Sequence, residues 1–201
     1  MRQRQTRRSG LTAITIVFAL VSGAADGADE PYGHGDIRLG ASFQVLAAAL
    51  DFRDIYAALA EQERRKAAVP DLGRRGYGCL RRDDAYADVT CVSHTEKVGG
   101  AETRELRLQF LAGILQQFSI TAEIQYFDAV TGAVRARHGA PGSVEPATGG
   151  GFPSYRWRNG ASSIVGYGGK DLVFVSFELS SYAEAVKARQ ARPAGPASEC
   201  R

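Results

Sequence analysis

Three cysteines and three histidines are the side chains of this chain best suited to nucleophilic or metal chemistry. Cys91 and His94 are separated by two residues, a spacing that occurs in metal sites and in activated cysteine–histidine pairs. A metal site needs three or four ligands, and His34 and His138 lie far from this pair along the chain. A nucleophilic cysteine must be a free thiolate, whereas Cys79 is near enough in sequence to pair with Cys91 in an oxidising compartment. The sequence therefore predicts a Cys79–Cys91 disulfide, no metal site and no cofactor.

The predicted disulfide joins residues 77–80 and 87–92, two short segments with the composition of strands. It would close a loop of about 11 residues and stabilise the fold by roughly 2–3 kcal/mol in the chain-entropy model. Cys200, near the C-terminus, is the odd cysteine. It is either an inert thiol in a tail or a site for crosslinking two chains, and the sequence leaves both open.

Acidic residues and glycine runs offer weaker signs of chemistry. Asp83, Asp84 and Asp88 suggest an acid–base pair or a calcium loop, but Asp is also favoured in turns because its side chain bonds to nearby backbone. The glycine runs at residues 149–151 and 166–169 lack the strand, helix and downstream Lys-Ser/Thr that a phosphate loop requires. Since no set of nucleophile, base and orienting group is visible, we expect a protein that is not an enzyme and has no catalytic residues.

Three aromatic residues in the last third of the chain are the best candidates for binding a partner. Tyr155 and Trp157 alternate with arginines, so they lie on one face of a predicted strand, and Tyr167 follows in the next strand. Aromatic side chains in a sheet either pack in the core or anchor a partner. Both interpretations stay open for all three residues.

Residues 1–25 have the pattern of an export signal that is removed from the mature protein. A basic start is followed by an apolar run over residues 11–21 and then by small residues, so we expect cleavage after Ala24 or Ala25. The alternative is an uncleaved membrane anchor, although about 18–20 apolar residues would be wanted to span a bilayer. The general secretory route is favoured over the twin-arginine route, because Gly10 stands where a bulky apolar residue is usual in the latter.

Removal of this signal changes the charge of the chain. The full sequence has 25 Lys and Arg against 22 Asp and Glu, and four of the arginines lie in residues 1–25, which leaves 21 basic residues against 22 acidic ones. A nucleic-acid surface needs clustered basic residues on the folded domain. The sequence therefore predicts an exported periplasmic or secreted protein that binds no nucleic acid and has no stable membrane span after cleavage.

The elements that position these residues follow from the hydrophobic pattern. Residues 105–121 alternate apolar and polar positions on both sides of Ala112-Gly113, which predicts a hairpin whose Phe110 and Phe118 are core candidates. Ser42 is placed to cap a helix that begins at Phe43, and its apolar period continues through Phe52 towards residue 59, as one bent helix or two. Further predictions are strands at 77–80, 87–92, 155–158, 163–165 and 172–179, and helices at 127–137 and 182–189.

The order of helix, hairpin and strand occurs twice. The first helix has Phe43-x-x-Leu46-x-x-Ala49-Leu50, and the later helix has Phe127-x-x-Val130-x-x-Ala133-Val134. A weak amphipathic helix cannot bury its face alone, so packing each helix on antiparallel strands is the simplest solution. We therefore expect an α+β fold of two related helix-plus-antiparallel-sheet modules, residues 36–123 and 124–190, whose sheets can join with the helices on one face. Residues 191–201 are predicted to be a disordered tail.

This order resembles small bacterial envelope proteins of the BamE-like and β-lactamase-inhibitor-protein-like class. The resemblance rests on Phe110-x-x-Gly113-x-Leu115-x-x-Phe118 between sheet and helix, and on Ile37-x-Leu39-Gly40 before the helix at Phe43. It implies helices packed on an antiparallel sheet and binding of other proteins without catalysis or cofactor. The chain departs from lipid-anchored members in having no cysteine at the end of its signal, and no family binding residue can be transferred to it.

The sequence therefore favours a non-enzymatic envelope protein that binds another protein, as an inhibitor or an assembly factor would. The alternative is a periplasmic module that binds a small molecule or lipid between its helices and its sheet. An exposed aromatic or apolar patch on the sheet would favour the first function, and an enclosed pocket the second.

Overall fold

The computed structural model describes residues 30–54, 76–82, 84–147 and 151–191. The predicted signal lies outside the described residues, as does most of the predicted tail. The strands are β1 Gly33–His34, β2 Ile37–Arg38, β3 Phe52–Asp54, β4 Tyr77–Arg81, β5 Val89–Ser93, β6 Lys97–Val98, β7 Ala101–Leu111, β8 Ile114–Glu123, β9 Ser143–Glu145, β10 Ser154–Arg158, β11 Ser162–Gly168 and β12 Leu172–Leu179. The helices are α1 Phe43–Ala49, α2 Phe127–His138 and α3 Tyr182–Gln190, and one 3₁₀ turn, Ile124–Tyr126, precedes α2.

One continuous sheet dominates the fold. Its strand order is β3-β4-β5-β7-β8-β12-β11-β10-β9, and β6 adds a short pairing to β7. All neighbours in this order are antiparallel except β3 and β4. A separate two-stranded sheet pairs β1 with β2. The predicted α+β class with a large antiparallel sheet is therefore confirmed.

The β7–β8 hairpin stands at the centre of the sheet, as the alternation of residues 105–121 predicts. Ala112 and Gly113 make the connection with φ of 53° and 74°, the left-handed geometry that a two-residue hairpin turn requires. Strand β8 pairs with β7 at one edge and with β12 at the other, there along seven residues, so that Phe118 lies opposite both Leu108 and Phe177. The hairpin thereby joins the strands before it to the strands after it.

Alternate residues of the central strands form a buried apolar face, which we call the inner face. Its members are Leu106, Leu108 and Phe110 of β7, Phe118 and Ile120 of β8, Val175 and Phe177 of β12, and Ile164 of β11, all 1% exposed or less. Because side chains alternate across a strand, the residues between them form a second face, the outer face.

The first helix packs on the inner face. The Ser42 hydroxyl accepts a hydrogen bond from the Val45 amide at 3.3 Å, which caps the helix as predicted. Leu46 is buried, and the Phe43 ring meets the Phe110 ring edge-on at 5.1 Å.

The predicted continuation of this helix is wrong at residues 52–54. Helix α1 ends at Ala49, and Phe52 starts a strand beside Tyr77 of β4. The Tyr77 amide donates to the Asp51 carbonyl at 2.7 Å, which fixes this parallel pairing. An apolar residue such as Phe52 fits either periodicity over a short segment, so pairing with a neighbouring strand decided the conformation. The rest of the predicted continuation, residues 55–59, lies outside the described residues.

The second helix also packs on the inner face. Phe127, Val130, Thr131 and Val134 are its buried residues. Gly139 ends the helix with φ of 79°, and its amide donates to the Arg135 carbonyl at 2.9 Å. The last helical residue is His138, one residue beyond the predicted helix of residues 127–137. At the same end, the His138 ring lies edge-on to the Tyr32 ring at 4.9 Å.

The third helix is fixed to the connection between β4 and β5. The Tyr182 hydroxyl donates to the Tyr86 carbonyl at 3.0 Å, and Arg189 forms an ion pair with Asp88. The Asp88 amide in turn donates to the Phe110 carbonyl at 2.7 Å, which ties this contact to the central hairpin. Among the described residues, no helix is both long enough and apolar enough to cross a membrane.

Candidate functional site

The outer face of the sheet carries small polar side chains around an aromatic pair. Its positions on the five central strands are Thr90 and Val92 of β5, Arg107 and Gln109 of β7, Gln117, Ser119 and Thr121 of β8, Phe174, Ser176 and Glu178 of β12, and Ser163, Val165 and Tyr167 of β11. Arg107 and Glu178 in this set are charged, and so are Glu105 and Glu123, which share its phase on β7 and β8 and form ion pairs with Arg107 and Arg104. The face is therefore suited to a partner that offers hydrogen bonds rather than strong charge.

Hydroxyl and amide groups occupy the middle of the outer face. Ser119 pairs with Ser176 in the register of β8 and β12. The Gln117 amide donates to Ser176 Oγ at 3.1 Å and to Glu178 Oε2 at 3.3 Å. Burial raises the pKa of the Glu178 carboxyl, since the charged form loses water there. These bonds hold Gln117 and Glu178 in place and leave hydroxyl groups available on both strands.

The aromatic pair consists of Tyr167 and Phe174. Their rings stack with centroids 5.3 Å apart and planes 24° apart, because the two residues are direct partners in β11 and β12. Tyr167 keeps 45% of its surface exposed, whereas Phe174 is half-buried. A tyrosine supported by a second ring is a rigid contact, with apolar area and a hydroxyl, of the kind that is enriched in protein interfaces.

The glycines beside Tyr167 explain why β11 can lie so close to its neighbours. A Cβ at Gly168 would lie 2.6 Å from Phe152 Cβ. A Cβ at Gly166 would be in contact with Val175, Thr131 and Trp157 on the inner face. The inner side of β11 is thus filled by other residues, and Tyr167 alternates with these glycines onto the outer face.

The other two aromatic candidates lie on the inner face. Trp157 is 2% exposed, and its indole Nε1 donates to the Gly139 carbonyl at 2.9 Å. Tyr155 is half-buried, with its ring 6.0 Å from that of Phe127 and 6.0 Å from the Arg135 guanidinium. Of the three aromatic residues singled out in the sequence, Tyr167 alone therefore reaches the outer face.

Sequence reasoning missed Phe174. Residues 172–175 are all apolar, which suggests a strand covered on both sides, and this pattern does not reveal which residue faces solvent. The alternation of side chains along the strand was the available signal. Val175 and Phe177 are two residues apart and point into the core, so Phe174 must point to the opposite face.

The cysteine pair is confirmed as a disulfide. Cys79 and Cys91 are direct partners in the register of β4 and β5, with their Cα atoms 4.0 Å apart. Both side chains lie on the inner face, where Cys91 is fully buried. The bond fixes the hairpin next to the central strands.

The remaining candidates for chemistry have structural partners. His94 Nδ1 lies 2.6 Å from the Arg104 carbonyl oxygen. Asp84 Oδ1 accepts from the amides of Tyr86 and Ala87, both at 2.8 Å, so it shapes a turn. Asp83 lies outside the described residues, and so do Gly149 and Gly150. Within the part of the chain that the structure describes, no group of three or more His, Cys, Asp and Glu side chains could hold a metal ion.

Comparisons with known proteins give little guidance. No protein-family model matches the chain, and no curated protein matches it either. Among solved structures, a GTP binding regulator from Thermotoga maritima is similar at 14% identity and a TM-score of 0.34, over 56% of this chain and 74% of that one. A likeness this low carries no argument about fold or function.

Proposed function

We propose that this chain is an exported, non-enzymatic envelope protein that binds another protein through the outer face of its sheet. The observation that carries the proposal is the exposed Tyr167 ring, which is stacked on the half-buried Phe174 on the face opposite to the one that α1 and α2 cover. Exposed aromatic residues on a rigid sheet are a common anchor in protein interfaces.

The surroundings of the pair favour a partner with a neutral, hydrogen-bonding surface. The Ser176 hydroxyl lies two residues after Phe174 on β12, and the hydroxyls of Thr121 and Ser119 lie opposite these two residues on β8. The nearest charged side chains on β7, Arg107 and Glu105, bind each other at 2.9 Å and so neutralise their charges. An aromatic anchor with polar neighbours matches the core and rim of a typical interface.

Two further arguments support export and protein binding. The Cys79–Cys91 disulfide is compatible with an oxidising compartment such as the periplasm or the extracellular space. The resemblance of the chain to BamE-like and β-lactamase-inhibitor-protein-like envelope proteins implies protein binding without catalysis.

Affinity capture from envelope extract tests the proposal. Purified protein is immobilised as the native chain, as Tyr167→Ser and as Tyr86→Ser, and the bound proteins are compared by mass spectrometry. Tyr86 is a matched control because it is a tyrosine with 54% exposure in the β4–β5 connection rather than on β11. The proposal predicts a protein that the native chain and Tyr86→Ser enrich and Tyr167→Ser does not. It fails if all three enrich the same proteins to the same extent, or if none is enriched.

A further inference from the structure

A groove of about 640 Å³ opens on the inner side of the fold, between α1, the edge strand β3 and the start of β5. Its volume lies within the range of about 300–1,000 Å³ that is typical of small-molecule sites. The groove is separated from the outer face by the thickness of the sheet, since Phe52, Cys79, Val89 and Phe110 line it from the inner face.

Three aromatic rings form the apolar floor of the groove. The Phe43 ring lies 5.1 Å from that of Phe110 and 5.3 Å from that of Phe52, and the Phe52 and Phe110 rings are 6.1 Å apart. Phe110 is fully buried, whereas Phe43 and Phe52 are only half-buried. Ala47, one helical turn after Phe43, and Val89 extend this surface. An apolar chain laid on these groups would remove further apolar area from water.

Arginine side chains stand at the rim of the groove. Arg81 is the partner of Val89 in the register of β4 and β5, which places it on the inner face next to the apolar floor. Arg82 follows it, and both residues are exposed. Among the ion pairs of the described residues, none includes Arg81 or Arg82.

The other charged groups at the groove are already engaged. Asp88 binds Arg189 and accepts from the Ala112 amide at 2.5 Å. Arg53 binds Asp51 at 2.8 Å. Asp54, which lines the groove as well, also has a partner. Within the described residues, the charge beside the apolar floor that no ion pair neutralises is therefore positive, which is complementary to an anion.

We propose that this groove binds an amphiphile with one apolar chain and an anionic headgroup, a carboxylate or a phosphate. The chain lies against Phe43, Phe52 and Val89, and the headgroup accepts hydrogen bonds from Arg81 and Arg82. The site does not depend on protein binding at the outer face, so either proposal can fail without the other.

Calorimetric titration of the purified protein tests the ligand class. The probes are decanoate, decyl phosphate, decyltrimethylammonium and decyl maltoside, each below its micelle concentration. We expect the two anionic probes to bind at least tenfold more tightly than the cationic and neutral ones. The tighter of the two anionic probes identifies the headgroup as a carboxylate or a phosphate. Equal affinity for all four probes, or no binding of either anionic probe, overturns the proposal.

Variants locate the site. Arg81→Gln with Arg82→Gln should weaken the anionic probes at least tenfold, whereas Arg158→Gln, an exposed arginine on β10, should leave their affinity unchanged. Ala47→Phe fills the groove and should abolish binding with both arginines present. The thermal midpoint of each variant shows whether it is folded. If Ala47→Phe is unfolded, the double arginine variant alone tests where the anionic probes bind. Unchanged affinity in the double arginine variant contradicts the proposed site.

Discussion

The ring of Phe118 in β8 stacks on the ring of Phe177 in β12, with centroids 4.1 Å apart and planes only 12° apart. Both residues are fully buried and are direct partners in the sheet. This contact lies where the strands formed by residues 52–123 meet those formed by residues 143–179. It makes the two groups of strands parts of one core. The division into two related modules stays a prediction from the sequence.

The Phe118–Phe177 contact should be among the most costly to remove. Phe118→Ala and Phe177→Ala should each lower the free energy of unfolding by about 3–5 kcal/mol, through lost burial and the cavity left behind. Urea denaturation measures the loss. The loss in the double variant should be smaller than the sum of the two single losses by about 0.5–1.5 kcal/mol, the coupling energy of an aromatic pair. Tyr167→Ser should cost less, about 0.5–1.5 kcal/mol, because Tyr167 is 45% exposed and loses chiefly its stacking on Phe174. A loss below about 1 kcal/mol at Phe118 would contradict its central place.

Turns and hairpins are the part of the fold that the sequence predicts well. Ala112-Gly113 connects its hairpin with the positive φ at both residues that a two-residue turn requires. Neither Asn159 nor Gly160 has a positive φ, and their hairpin is held instead by Asn159 Oδ1, which accepts from the Ala161 and Ser162 amides at 3.0 and 2.7 Å. The conformational preferences of turn residues depend only on the residues of the turn itself, so they can be read from a single sequence. The conformation of residues 52–54 depends instead on a neighbouring strand 25 residues along the chain, Phe52 being the partner of Tyr77. Local pattern cannot contain that information.

Loss of the disulfide should destabilise the fold without unfolding it. Replacing both cysteines, Cys79→Ser with Cys91→Ser, should lower the free energy of unfolding by roughly 2–3 kcal/mol, because the unfolded chain regains the freedom of the closed loop. Urea denaturation of the native and double-variant chains measures the difference. Mass mapping of the native chain provides the control, and a free Cys79 thiol in that chain would contradict the bond.

The candidate site was harder to predict than the fold. The two-residue spacing of Tyr155 and Trp157 places both on the same face of the sheet, but the sequence does not say whether α2 covers that face. The structure places the Gly139 carbonyl, at the end of α2, on the Trp157 indole, which makes it the covered face. Tyr167 belongs to the other face because the register of β11 against β12 sets its partner as Phe174. Register between strands is a property of the folded sheet, and one residue of slip would reverse it.

Stability should fall in mild acid because of two histidines near the N-terminal strands. Burial, and then the charges of Arg137 and His138, lower the pKa of His34. Burial also lowers the pKa of His138, opposed by its hydrogen bond to the Gly33 carbonyl, while Arg137 and Arg38 add to the lowering. The unfolded chain therefore takes up protons first as the pH drops below about 6.5. The free energy of unfolding is highest above that pH and declines towards the folded pKa values.

Urea denaturation at pH 7.5 and pH 5.5 measures this effect on the native chain and on His34→Gln. The native chain should lose more stability between the two pH values than the variant, which has one fewer titrating group. The raised pKa of Glu178 has the opposite sign but is common to both chains, so it cancels in the comparison. An identical pH dependence of both chains would show that His34 does not contribute.

Export should leave a shortened N-terminus. If residues 1–25 are a cleaved signal, N-terminal sequencing of the protein recovered from the envelope fraction should begin at Ala25 or Asp26. The same protein made without an export pathway serves as the control and should begin at Met1. Recovery of a chain that begins with Met1 from the envelope fraction would contradict cleavage.

Photocrosslinking from position 167 in living cells tests the outer face as a binding surface most directly. A benzophenone side chain is introduced in place of Tyr167 in one strain and in place of Tyr86 in another, and adducts are detected by their increase in mass. Binding through the outer face predicts a discrete covalent adduct with one other protein from position 167 and none with that protein from position 86. The same adduct from both positions, or no adduct from position 167, would contradict it.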